Sequence, residues 1–164
     1  MDMLGGTSED YTISIPSPFA KEQTDVLIQP LSTRYHDRDN TKKRIINMLA
    51  NLVKERQGNY LIFFPSYHYL KNVYEDFTTN FPEIRTIIQH STMAEDEREK
   101  FIDEFNEESK STLFGFAVLG GIFSEGVDLK GNRLNGAIVV GVGLPQLCLE
   151  RNIMKDYFQN ILNQ

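Results

Sequence analysis

Apolar positions along this chain follow two different spacings. Short continuous runs occur at residues 25–31 (DVLIQPL), 60–65 (YLIFFP), 85–91 (RTIIQHS), 112–120 (TLFGFAVLG) and 136–145 (GAIVVGVGLP). Such runs, bounded by polar or turn residues, predict buried strands. Between them, apolar residues recur every three or four positions. Residues 41–57 place Ile45, Met48, Leu49, Leu52 and Val53 on one helical face, and residues 66–81 do the same with Tyr67, Leu70, Val73, Tyr74 and Phe77. Residues 93–105 form a charged stretch with Phe101, Ile102 and Phe105 facing inward, and residues 147–162 read as a closing amphipathic helix. Gly58 and Asn59 are expected to end the first helix. Ser66 is placed to cap the second, and Ser91 or Thr92 the third.

The predicted order alternates strand and helix, with two strands in succession before the last helix. That pattern indicates an α/β domain, three-layered, around a mainly parallel sheet. Residues 1–24, rich in Gly, Ser, Thr and Pro, read as an extended connector packed on the domain, with Phe19 as its anchor. Residues 25–164 read as one domain. In a parallel sheet the functional loops lie beyond the carboxyl ends of the strands. Three polar clusters fall at such ends: Pro65-Ser66-Tyr67, Gln89-His90-Ser91, and the segment from Ser124 to Asp128.

Composition narrows the class without naming it. The 164 residues are 40% hydrophobic and 24% charged, ordinary for a globular domain. The lone Cys148 excludes a disulfide framework and a multi-cysteine metal cluster held by this chain alone, and suits a reducing, cytoplasmic setting. His36, His68 and His90 lack metal-ligand spacing. No apolar run reaches membrane-spanning length, so no membrane partner is expected. A net charge of −6 argues against nucleic-acid binding by bulk electrostatics but leaves room for a local basic stripe. Lys42-Lys43-Arg44 at an expected helix start is such a candidate, although groups of this kind are more often a solvated face than a binding patch.

The candidate chemistry lies at the strand ends. Neither GxGxxG nor GxxxxGK[ST] occurs, so another segment must hold the phosphates of any nucleoside triphosphate. In Ser124-Glu125-Gly126-Val127-Asp128, Gly126 permits a sharp turn and Ser124 offers a hydroxyl suited to a phosphate oxygen. Asp128 offers an acceptor for a ribose hydroxyl or a basic side chain. On spacing alone, a polar turn that satisfies itself accounts for the same residues. Ser66 and Tyr67 suit a nucleic-acid backbone or a stacked base, or else a helix cap and a core tyrosine. Gln89 and Ser91 suit a backbone contact, or a turn and cap.

Taken in order, these stretches resemble a known family. YLIFFPSYHYLKNVYEDF resembles motif IV of the XPD/DinG helicases of superfamily 2, and GGIFSEGVDLKG resembles their motif V. LNGAIVVGVGLP resembles the following strand, and LGGTSEDYTISIPSPF the connector after motif III. The similarity covers nearly the whole chain, and motif V is its most specific part. It implies the second RecA-like motor domain of an ATP-dependent DNA helicase. A further motif, QxxGRxxR, is expected beyond Gln164, which would make this chain an incomplete second motor domain.

The resemblance implies ATP-driven translocation on single-stranded DNA and duplex unwinding. ATP and Mg²⁺ would be held mainly by a first RecA-like domain of the same polypeptide, which in many members also bears an iron–sulfur cluster. Carried over by residue, Glu125, Gly126 and Asp128 would form the coupling loop, with Gly126 and Asp128 on the ATP side. Ser66, Tyr67, Gln89, Ser91, Ser124 and Glu125 would lie along the nucleic acid. The isolated chain is then expected to lack ATPase activity. Two alternatives share these features: a non-catalytic scaffold that keeps the motor fold, and part of a DinG-like nuclease.

Overall fold

A computed structural model describes residues 10–107, 111–124, 127–143 and 149–162. The chain divides into two compact units, Met1–Pro30 and Leu31–Gln164. In the first, the described residues carry one 3₁₀ turn, Lys21–Gln23, closed where the Ala20 N–H donates to Gln23 Oε1 at 2.9 Å. Phe19 is 72% exposed. Residues 25–30 were expected to begin a buried strand. They form none, and Leu27 is 90% exposed. Pro30 removes a ladder donor from this run, and the described residues of its own unit hold no strand to pair with it. An apolar run makes a strand only where a neighbour supplies hydrogen bonds.

Among the described residues, the second unit holds all the strands and α-helices. Its strands are β1 (Asn59–Phe64), β2 (Arg85–Ile88), β3 (Leu113–Val118) and β4 (Gly136–Val139). Its helices are α1 (Arg38–Glu55), α2 (Tyr67–Asn80), α3 (Glu95–Asp103) and α4 (Leu149–Leu162). The sheet runs β2-β3-β1-β4, and every pairing is parallel. The α/β class and parallel sheet expected from periodicity are therefore present, in RecA-like form.

The sheet carries a separate core on each face. Tyr60, Ile62 and Phe64 of β1 pack with Phe114, Phe116 and Val118 of β3 beneath α1 and α2. Leu61 of β1 with Leu113 and Ala117 of β3 face the other way, toward Phe101 of α3, Phe105 just past it and Phe123 of the turn after β3. The alternation follows from the two-residue period of a strand. Helices on both sides make three layers. β1 and β3 lie at the centre, and their buried faces explain why their sequences are continuous apolar runs.

Helix boundaries follow local chemistry. Ser66 caps α2, its Oγ accepting from the Tyr69 N–H at 3.3 Å. α3 begins at Glu95, past the expected cap residues Ser91 and Thr92. Glu97 reaches back to accept from the Ala94 N–H at 2.8 Å and takes over their role. α1 begins at Arg38, three residues before the expected start, so Lys42, Lys43 and Arg44 lie beyond its first turn. α4 forms where expected, but Ile153, Met154, Tyr157 and Ile161 of its apolar stripe are exposed. No described strand lies beyond β4 to give that stripe a floor, and Val139 on β4 is itself exposed.

The amino end of the sheet is stitched by one buried side chain. Asn59 Nδ2 donates to the carbonyls of Asn106 (3.0 Å) and Arg133 (3.1 Å), and its N–H donates to Asn135 Oδ1 at 2.7 Å. Arg133 in turn donates to the Phe105 carbonyl at 2.7 Å. These bonds join β1 to the loops before β3 and β4.

Two predictions concern this core. A Cβ placed on Gly115, in the middle of β3, would lie 2.5 Å from Phe105 Cζ and 3.1 Å from Leu61 Cδ2. Gly115→Ala is therefore expected to destabilise the fold by about 1–3 kcal/mol. The measurement is the urea midpoint, with the m-value unchanged. The second concerns Tyr60 and Tyr69, whose phenols are pushed above their usual range by burial, against the opposing charges of Arg56 and Arg38 respectively. The fold holds these protons more tightly than the unfolded chain does. Their contribution is complete below the unfolded-state value near 10 and is lost as pH climbs through the raised values. Urea midpoints are expected to fall above about pH 10, and less steeply in a Tyr60→Phe variant.

Candidate functional site

Because β1 and β3 pair in register from Asn59–Leu113 to Phe64–Val118, they end level with each other. Bonds just past the ladder keep the exits together. Leu119 N–H donates to the Phe64 carbonyl, Gln89 N–H to Phe116, and Val140 N–H to Phe63, each at 2.8 Å. The polar clusters that follow β1, β2 and β3 therefore share one edge, as topology predicted.

Three of the sequence-predicted residues are joined there by hydrogen bonds. Gln89 is 2% exposed. Its Oε1 accepts from the Val118 N–H at 2.9 Å, and its Nε2 donates to the Tyr67 hydroxyl at 3.0 Å. On the far side of the same residue, the Val118 carbonyl accepts from Ser124 Oγ at 3.2 Å and from the Gly121 N–H at 3.2 Å. Tyr67, Gln89 and Ser124 thus belong to one network spanning three strand ends. Tyr67 is 38% exposed and Ser124 is exposed, whereas Gln89 is fully enclosed between them.

Ser66 sits at the same exit, half-buried, with its oxygen engaged as the α2 cap. Ser91 and His90 are exposed in the turn after β2. Asp128 is exposed and pairs with Lys130 at 3.2 Å. A pair so open to solvent is weak, which leaves the carboxylate available to another partner. Glu125 and Gly126, expected in the coupling loop, lie outside the described residues, as does Cys148.

The glycines at the head of this turn have clear tasks. Gly120 has φ +69°, the left-handed region that favours glycine. A Cβ on Gly121 would lie 2.8 Å from Val118 Cγ2 and 3.0 Å from Gln89 Nε2. The turn can close over the Gln89 amide only because residue 121 has no side chain. The Gly120-Gly121 pair was visible in the sequence. Its packing role was not, because the partner lies thirty residues away in the chain.

Two concavities flank the edge. One, of about 200 Å³, lies between the start of α1 and the start of α2, with Tyr35, His36, Arg38, Lys42, His68 and Tyr69 in its wall. The Arg38 guanidinium lies 4.4 Å from the centre of the Tyr69 ring and 5.5 Å from that of Tyr35, and its Nε donates to the Thr33 carbonyl. Sequence reading passed over Arg38, which no motif marks. The other, a shallow groove of about 450 Å³, has an apolar floor of Ile102, Ile122, Phe123 and Val127 and a wall containing Glu95, Glu99 and Asp103. The first holds Arg38 and Lys42 beside Asp39, with Lys42 paired to Asp76 at 2.6 Å; the second also holds Arg98, which pairs with Glu95 at 3.1 Å, and stays the more acidic of the two.

As a nucleotide site this edge is partial. Asp128 supplies acceptors only, which suit a ribose hydroxyl and not a phosphate. Among the described residues, no three His, Cys, Asp or Glu side chains converge as a metal-binding group. No described helix is long and apolar enough to cross a membrane.

Comparison with known proteins agrees with this geometry. The chain is similar to the ATP-dependent DNA helicase CHL1 of Debaryomyces hansenii, at 27% identity over 133 residues, covering 74% of this chain and 16% of that protein. It is also similar to the ATP-dependent DNA helicase CHL1 of Vanderwaltozyma polyspora, at 28% identity over 95 residues, covering 55% of this chain and 11% of that protein. The chain therefore spans a small part of the length of these relatives. Residues 49–164, which include all four strands and the Tyr67–Gln89–Ser124 network, match the helicase C-terminal domain model. This chain belongs to the helicase C-terminal domain family of XPD/DinG-type superfamily 2 helicases.

Proposed function

We propose that this chain is the second motor half of an ATP-dependent DNA helicase and that single-stranded DNA crosses the carboxyl edge of its sheet. One observation carries the reading: the exit of β1 and the turn after β3 are joined by hydrogen bonds through a single buried amide. A motor must link the surface that grips the strand to the surface that senses the nucleotide. Here Ser66 and Tyr67 face the strand, with Ser91 beside them. The turn containing Ser124, Glu125 and Gly126 faces the strand or the seam between domains. Asp128 faces the nucleotide.

The chemistry of each group fits its task. Ser66 keeps its hydroxyl proton while its oxygen caps α2, so it can donate to a phosphate. Ser66 stands at the start of α2, where the helix dipole favours an anion. Arg38, in the neighbouring concavity, adds positive charge on the α1–α2 side, whereas the Lys42 charge is met by Asp76 at 2.6 Å. ATP and Mg²⁺ would be held mainly by a first RecA-like domain, with Asp128 contributing an acceptor at the nucleotide's sugar. The bound nucleotide supplies the phosphoanhydride whose cleavage drives opening and closing. The residues of this chain bind and transmit; they do not perform the cleavage.

Two measurements test this. The 164-residue chain is expected to bind oligo-dT weakly and to hydrolyse no ATP alone. Contacts to two or three phosphates predict that log Kd rises with log salt at a slope of roughly 1.5–2. Binding that ignores salt would remove the phosphate contacts from the proposal. In a polypeptide that also carries the first motor domain, Asp128→Ala and Glu125→Ala are each expected to cut DNA-stimulated ATP turnover at least about tenfold. Undiminished turnover in both variants would refute the coupling role of this loop.

A further inference from the structure

Gln89 is a buried polar side chain whose place between two candidate contact loops invites a closer chemical reading. Enclosing a primary amide costs free energy unless its atoms are paired, and here both ends are paired. The pairing also fixes which way the amide faces. The Val118 backbone nitrogen is a donor only, so the atom meeting it at 2.9 Å is the carbonyl oxygen, Oε1. Nε2 must then face Tyr67, donating to its phenol oxygen at 3.0 Å.

That orientation determines what Tyr67 offers to solvent. With its oxygen already accepting a hydrogen bond from the amide, the hydroxyl's own proton is free for an outside partner. Tyr67 is the first residue of α2 and 38% exposed, so its hydroxyl is within reach of such a partner. A phosphate backbone has acceptors and no donors, and a phenol held as a donor is the matching group.

We infer that Gln89 is a positioning residue: its amide holds the Tyr67 hydroxyl as a hydrogen-bond donor toward a phosphate and ties it through the Val118 peptide to the Ser124 turn. The inference rests on the proposal that Ser66 and Tyr67 face single-stranded DNA. The link is short. Gln89 holds the N–H of Val118, while Ser124 Oγ and the Gly121 N–H hold its carbonyl. Gly121 lets the turn lie directly on the amide. A shift of the Ser124 turn therefore pulls on Val118 and moves the phenol that grips the strand, with only one side chain between them.

The test reverses the polarity at residue 89. In Gln89→Glu the shape is kept, but both terminal oxygens are acceptors. One still takes the Val118 N–H, and the other takes the Tyr67 proton, which withdraws the donor from the surface. Binding of fluorescein-labelled oligo-dT to the 164-residue chain is measured by anisotropy, with far-UV circular dichroism melts confirming that each variant folds. Tyr67→Phe is expected to weaken binding roughly tenfold, the effect of one hydrogen bond to a charged group. Gln89→Glu is expected to match it, and adding Tyr67→Phe to Gln89→Glu should change affinity less than about twofold. A purely structural residue would give no such loss of additivity.

Gln89→Met, of similar length and uncharged, covers the case in which the carboxylate prevents folding. In that background the penalty for Tyr67→Phe should shrink to less than about half. Full additivity in either background, or wild-type affinity in Gln89→Glu with a penalty in Tyr67→Phe, overturns the inference and leaves the DNA surface standing. No binding of oligo-dT by the wild-type chain, or none lost in both Ser66→Ala and Tyr67→Phe, overturns the DNA surface itself and this inference with it.

Discussion

The level, in-register pairing of β1 with β3 is the constraint from which the rest of the structure follows. Two parallel strands buried on both faces present almost only apolar side chains along their length, with Asn59 at the head of β1 as the polar exception. Polar chemistry is therefore pushed out to their ends. Parallel pairing sends all carboxyl ends to the same edge, and equal register makes those of β1 and β3 finish side by side. Residues far apart in the chain, from Ser66 to Ser124, come together because the ladder has no stagger.

The two ends of the sheet solve one problem with different results. Buried backbone groups and strand exits need partners at both ends. At the amino end, Asn59 supplies them by donating to loop carbonyls, and Asn135 closes the site from the other side. That end is sealed. At the carboxyl end, Gln89 does comparable stitching but leaves a hydroxyl at the surface on each side of it, on Tyr67 and Ser124. A longer side chain at one end and a shorter one at the other help separate an open edge from a closed one.

Much of this was legible in the sequence, for a physical reason. β1, β3 and the α2 stripe are long enough for burial to dominate any local preference, and Ser66 had no competitor as a cap. The misses arose where a partner decided the outcome. Residues 25–30 have the composition of a strand, but the described residues of their own unit offer them no ladder. The start of α3 went to Ala94 because Glu97, one turn inside, could reach back, and cap rules that look only for Ser or Thr do not see that. Gln89 was picked out as a surface contact, whereas the structure encloses its side chain between loops the sequence holds apart. Arg38 was missed because its meaning comes from two tyrosine rings and not from its neighbours in sequence.

The charge distribution adds a last step. The chain carries a net −6, yet its acidic groups do not surround the proposed binding edge evenly. Glu95, Glu99 and Asp103 outnumber Arg98 in the groove on the α3 side, while Arg38 and the Asp76-paired Lys42 stand with Asp39 on the α1–α2 side. The α3 flank is the more negative of the two, and for the proposed strand that difference acts as a guide. A phosphate backbone is repelled from the α3 groove and left with the α2 side, where Ser66 and Tyr67 lie. On this reading the acidic face of α3 is part of the strand's path, because it excludes the alternative.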